Sequence, residues 1–214
     1  MATYAIPAAP STHRSSGRLL LAGALAGPIF FASAIAQMLT RQGFDLTRHP
    51  ISQLATGELG WVQRATFVAA GVGVLALAVG VRRTLTEGVG RRALPILIGI
   101  FGAGLIAAGL FTADPEYGFP VGTPDGPVAH MSWHSVVHSV AAAVAFTAVA
   151  IAAIVLTVRY IRRRAALPAV ANGAVALVLL LPMSPEQMSL QIAATGLVAF
   201  TWTTVLAVRL RRAA

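Results

Sequence analysis

The sequence predicts an all-α protein, a six-helix transmembrane bundle with its N- and C-termini cytoplasmic. Three observations carry this. Of the 214 residues 57% are hydrophobic and only 11% charged, with a mean hydropathy of +0.76, whereas a soluble domain carries roughly a quarter charged residues. Six apolar runs alternate with short polar segments. All sixteen basic residues are Arg, and most sit in clusters between those runs. The net charge of +9 therefore reports topology rather than a nucleic-acid-binding face. Membrane lipids are the expected surroundings, and no nucleic-acid partner is expected. With no Cys in the chain, disulfides, thiolate metal sites and a cysteine nucleophile are excluded. The Arg-only, Ala/Gly/Val-rich usage points to a high-GC bacterial genome, so the expected location is the bacterial cytoplasmic (inner) membrane, crossed several times.

Residues 1–18 are small and polar and read as a disordered cytoplasmic tail; residues 19–212 then form a single transmembrane domain. The first run, 19–39, is long enough to cross a hydrocarbon core of about 30 Å. Ala32-Ser33-Ala34 and Ala34-Ile35-Ala36 also fit the small-residue sites at which signal peptides are cut, but the run is read as the first transmembrane helix. A polar loop, 40–60, follows, and Pro50 to Ala55 within it has room for one or two helical turns. The second span, 61–81, opens on Trp61, an interfacial anchor. Arg82, Arg83, Arg91 and Arg92 bracket the turn TLTEGVG. The third span, about 93–112, carries Gly99, Gly102, Gly104 and Gly109, which permit close helix packing. After the polar segment 113–133 come the fourth span, from about 134 to 158, a short fifth, about 167–182, and a sixth, about 190–208.

Orientation follows from the Arg distribution. With the N-terminus inside, Arg14, Arg18, the four around the second turn, Arg159, Arg162, Arg163, Arg164, Arg209, Arg211 and Arg212 share the inner side. Only Arg41, Arg48 and Arg64 fall outside, as the positive-inside rule requires. Every acid except Glu87 then lies on the outer side, together with the loops 40–60, 113–133 and 183–189.

The stretch ADPEYGFPVGTPDGPVAHMSWHSVVH (113–138) concentrates the ionisable groups. It holds Asp114, Glu116 and Asp125 and three of the five histidines. His130, His134 and His138 recur every four residues, so on one helix they form a single stripe. His49 and Ser52 lie three apart and share a side if Pro50 starts a helical turn. Because the outer loops share a face, His49 and Ser52 can approach Asp114 and the His134/His138 pair. Ionisable groups at that depth are expensive unless paired or wet, which makes them functional candidates. Three imidazoles also suffice for a catalytic zinc with one open position, whose bound water would ionise near pH 7. Each candidate has a structural reading beside the functional one: interhelical hydrogen bonding for His134 and His138, solvation for His130, a backbone cap for Ser52, and a helix-end turn for Asp114-Pro115. No GxSxG context supports a serine hydrolase.

RHPISQL followed by Gly60-Trp61-Val62-Gln63, then Gly109-Leu110-Phe111-Thr112-Ala113-Asp114-Pro115, then the His134-x-x-x-His138 helix start, resembles the bacterial domain-of-unknown-function 998 family. The resemblance runs over about residues 18–210; it implies a six-span fold and no activity. A looser resemblance is to the membrane hydrolase superfamily of alkaline ceramidases and adiponectin-type receptors, which implies three His, a Ser and an Asp around zinc. Here those would be His49, His134 and His138 as metal ligands, with Asp114 and Ser52 as catalytic groups. The chain departs from that group in having six spans rather than seven, and in placing Ser52 after His49.

Two functions therefore stay open. One is a zinc-dependent hydrolase of a lipid or lipid-linked amide or ester at the outer leaflet. In it Asp114 would position or deprotonate the water, and Ser52 would donate to the developing oxyanion. The other is a non-enzymatic membrane accessory or small-molecule-binding protein whose polar cluster locks loops 40–60 and 113–133 together. A transporter is a third class, but no paired broken helices or mid-membrane charges mark it.

Overall fold

The computed structural model describes residues 12–213. Among them the regular elements are all helical, with no strand: α1 (Thr12–Thr40), α2 (Gly60–Thr84), α3 (Ala93–Leu110), α4 (Trp133–Arg162), α5 (Ala166–Leu179) and α6 (Met188–Ala213). Short 3-10 helices at Ile51–Ala55 and Pro185–Gln187 complete the connections. Five of the six α-helices are long and apolar enough to cross a membrane; α5 is shorter. With the match of its apolar runs to these helices, the chain is an integral, multi-pass membrane protein.

Part of the segment expected as a tail is helical. Helix α1 begins at Thr12, so residues 12–18 continue the first span as helix; residues 1–11 of the expected tail lie outside the described residues. The extra turns have partners: Ser16 is buried, and Arg83 Nη1 donates to Ser15 Oγ at 3.2 Å.

Neighbouring helices in the chain pack on one another from α1 to α5, and α6 closes back on α1. The pairs run antiparallel. At one end Ser15 meets Arg83, and Arg159 Nη1 donates to the carbonyls of Glu87 and Val89 at 2.9 and 2.8 Å. At the other, Ser189 Oγ donates to the Arg48 carbonyl at 3.0 Å. The bundle thus has an Arg-rich end and an Arg-poor end, the second carrying the long loops. Arg159, expected only as part of a charge cluster, is buried and stitches α4 to the α2–α3 turn.

Lipid is as apolar as Leu, so close backbone approach rather than the hydrophobic effect must hold such helices together. Gly71 and Gly102 face each other: a Cβ on either would sit 2.7 or 2.9 Å from the other's carbonyl oxygen. A Cβ on Gly104 would meet Ala145 Cβ at 2.6 Å, and one on Gly109 the Arg64 carbonyl at 2.8 Å. Of the four glycines expected to pack α3 closely, three do so; at Gly99 a Cβ would find its nearest neighbour at an ordinary 3.9 Å. The central core is aromatic, with Phe30 stacked on Phe200 at 4.9 Å and edge-on to Phe67 at 5.1 Å.

Candidate functional site

The site is built at the Arg-poor end from the α1–α2 and α3–α4 connections. In the first, the Asp45 carboxylate accepts from the Thr47 N–H at 2.8 Å and the Thr47 hydroxyl at 2.7 Å, an Asx-type turn. Those bonds hold the Asp45 carboxyl below its ordinary value. The turn brings the His49 N–H to the Asp45 carbonyl at 2.7 Å and folds the imidazole back over it. His49 Nδ1 accepts from the Asp45 N–H at 2.9 Å, and Nε2 donates to the Tyr117 carbonyl at 3.0 Å. An N–H aimed at Nδ1 requires the tautomer with its proton on Nε2. His49 is 2% exposed and forms a three-ring cluster with Phe44 and Phe119, at centroid distances of 5.6 and 5.4 Å, the two phenyl rings meeting edge-on at 5.3 Å.

In the second connection, Tyr117 adopts a left-handed φ of 54°. Its N–H reaches the Gly126 carbonyl at 2.8 Å, and Gly118 reaches that of Pro124 at 3.1 Å. This closes the loop on itself and drops Phe119, fully buried, against His49. Arg41, at the end of α1, clamps the assembly: its guanidinium donates to the carbonyls of Leu54 and Thr56 and lies over the Phe119 ring at 4.8 Å. Burial lowers the Arg41 guanidinium from its ordinary value. Gln53 adds a link to Glu116 at 3.1 Å, and Arg48 pairs with Asp125. Loops 40–60 and 113–133 therefore meet.

The α3–α4 corner is capped from both sides. Asp114 accepts from the Ser132 N–H at 2.7 Å and from the Ser132 hydroxyl, and Ser132 itself accepts from the Ser135 N–H as the N-cap of α4. His138 Nδ1 donates to the carbonyls of Ala108 and Phe111, at 3.1 and 2.9 Å. The last carbonyls of a helix have no partner within it, so His138 serves the end of α3 as Asp114 serves the start of α4.

The expected constellation is thus distributed. His130 is not on the helix: α4 begins at Trp133, because Ser132 caps it, and His130 lies exposed in the preceding loop. His134 and His138 share a helix, but His134 packs on Phe111 and Trp133, while His138 turns inward, edge-on to Phe67 at 6.2 Å. Pro50 is the N-cap of the 3-10 helix, so His49 precedes it rather than sharing a side with Ser52. Ser52 is only part-buried, while its neighbour Gln53 is 1% exposed and points into the joint. Among the described residues no group of three or more His, Asp or Glu side chains is placed to hold a metal ion. In this arrangement both His49 nitrogens are engaged by backbone groups, the Asp45 N–H and the Tyr117 carbonyl.

Sequence reasoning missed Arg41, Gln53, Tyr117 and Phe119. It also missed a polar junction one to two turns deeper, between α1 and α2. There Gln37 Nε2 donates to Gln63 Oε1 at 2.7 Å, and the hydroxyls of Ser33 and Thr66 meet at 2.7 Å. Gln37 Oε1, Gln53 Oε1 and Gln63 Nε2 are buried with no protein partner among the described residues. A usable signal existed: amides inside apolar runs are costly in lipid and mark interhelical contact.

A family model described as "Protein of unknown function (DUF998)" matches residues 24–209. No curated protein and no solved structure matches the chain.

Proposed function

We propose, from the premise that the chain belongs to the DUF998 family of proteins of unknown function, that it is a non-enzymatic membrane accessory or small-molecule-binding protein. Its His/Asp/Ser cluster is a structural latch that closes the outer face of the bundle. One observation carries this reading: His49, His138 Nδ1 and Asp114 are each engaged by groups of the two loops and of the helix ends those loops join. His49 spends both ring nitrogens on Asp45 and Tyr117. His138 Nδ1 serves two carbonyls at the end of α3, and both Asp114 oxygens serve Ser132. Hydrogen-bonded polar groups of this kind rigidify a joint, and these atoms are engaged rather than poised to bind a reacting group.

The bundle crosses the membrane six times, with both termini cytoplasmic. The Ser189–Arg48 bond, which sets the start of α6 beside the loop after α1, supports α5 as a crossing. Its 14 residues span about 21 Å, and the Leu180–Ser184 segment supplies the rest. The Arg asymmetry supports the orientation.

Metal content measured by mass spectrometry on detergent-purified protein, wild type beside His134→Ala/His138→Ala, tests the latch. The expected result is no stoichiometric metal in either sample, with a lower unfolding temperature for the variant. Near-stoichiometric zinc that disappears in the variant would overturn the latch in favour of a zinc hydrolase acting on a lipid or lipid-linked amide or ester. Because the chain has no Cys, single cysteines at Val121 and Thr86 report topology cleanly. An impermeant thiol reagent added to intact cells is expected to label the first and not the second.

A further inference from the structure

At the Arg-rich end, the last turns of α2 and the first of α3 border an open surface cavity of about 580 Å³ that the latch does not use. Arg82, Arg91 and Arg92 line it, above an apolar wall that includes Val79, Pro95 and Ile96. All three Arg are exposed. Arg91 is steadied by a bond from Nη1 to the Thr86 carbonyl at 3.2 Å. The guanidiniums of Arg82 and Arg92 make no hydrogen bond or ion pair with any described residue, and the one ion pair among those residues, Arg48–Asp125, lies at the opposite end. Val79 and Ile96, 43% and 62% exposed, continue the wall along the lipid-facing flanks of α2 and α3.

Three uncompensated guanidiniums at a membrane boundary, converging on one concavity, attract anions. Guanidinium geometry suits phosphate oxygens in particular. A soluble phosphate would use the cationic rim alone. A phospholipid would use both parts, its phosphate on the Arg and its acyl chains along Val79, Pro95 and Ile96. We propose that this cavity is a binding site for an anionic phospholipid of the leaflet on the Arg-rich side, and that the lipid bridges α2 and α3. This proposal is independent of whether the cluster at the far end is a latch or a catalytic centre.

The test is native mass spectrometry of detergent-purified protein titrated with phosphatidylglycerol or phosphatidylcholine. The wild type is expected to bind phosphatidylglycerol at least tenfold better. Each guanidinium near an anionic phosphate contributes about fivefold, so Arg82→Gln/Arg91→Gln/Arg92→Gln abolishes the preference. Arg162→Gln/Arg163→Gln/Arg211→Gln removes three exposed guanidiniums elsewhere at the same end and keeps it. Ile96→Trp obstructs the wall with every charge intact and is expected to weaken phosphatidylglycerol binding severalfold. Equal loss in the two triple variants would overturn the proposal in favour of diffuse charge, as would a preference that survives in the first. Displacement of the lipid by millimolar inorganic phosphate, with Ile96→Trp behaving as wild type, would overturn it in favour of a soluble phosphate.

Discussion

Replacing His49 by Ala removes two part-buried hydrogen bonds and one member of a three-ring aromatic cluster in one step, and the cost can be worked from its surroundings. The Asp45 N–H and the Tyr117 carbonyl lose their partners in a joint where the ring is 2% exposed, at about 1–3 kcal/mol for each group left unsatisfied. The contacts with Phe44 and Phe119 add about 0.5–1.5 kcal/mol each beyond area burial. Non-additivity and relaxation of the loop bring the expected total to about 3–5 kcal/mol. For a chain of this size, about 1 kcal/mol moves the unfolding midpoint by about 2–4 °C, so His49→Ala is expected to unfold about 10 °C early. The assay is thermal unfolding in detergent followed by tryptophan fluorescence. Two partial replacements sharpen it. Asn places an acceptor near the Nδ1 position for Asp45, and Gln places a donor near the Nε2 position for Tyr117. Each is expected to recover about half the loss. If His49→Ala unfolds with the wild type, or if Asn and Gln are both as damaging as Ala, the latch reasoning fails.

Three further outcomes follow from the same geometry. Arg41→Lys loses the fork that reaches both Leu54 and Thr56 and is expected to cost about 1–2 kcal/mol, read as a drop of several degrees in the same assay. Gly102→Ala forces a Cβ to 2.9 Å from the Gly71 carbonyl and is expected to cost about 1–3 kcal/mol, whereas Gly99→Ala, with 3.9 Å of room, is neutral or slightly stabilising; equal effects would refute the close α2–α3 approach. The Asp45 carboxyl is held below its ordinary value of 3.8 by Thr47, so its contribution is present above the unfolded value and lost as pH falls through the folded one. The unfolding midpoint of Asp45→Asn should therefore lie below that of the wild type at pH 6, with the gap closing on acidification; a gap that stays constant with pH would refute this.

The helices were legible because lipid imposes them. A run of about twenty apolar residues in hydrocarbon has no alternative to satisfying its own backbone, so the bounds of α2, α3, α4 and α6 follow from hydropathy to within a few residues. The Arg clusters mark the turns for a related reason, since charge stays out of the core. The resemblance carried by HPIS and Ala113-Asp114-Pro115 proved right at the level of family, and those same residues lie at the joint.

What each side chain does there was decided only in three dimensions. Ser52 and Gln53 are adjacent, and a sequence gives no preference between them. The start of the 3-10 helix at Ile51 decides it, because one residue of advance in a three-residue turn rotates the inward position by about a third of a circle. The spacing of His130, His134 and His138 suggested one stripe, but Ser132 capped the helix two residues past His130, so local hydrogen bonding overrode periodicity. His49 meets Tyr117 across 68 residues, and Gln37 meets Gln63 across 26. Such pairings depend on how far each helix slides against its neighbour. That offset is set by where glycines such as Gly71 and Gly102 let two backbones touch, which is a property of the packed pair rather than of either segment.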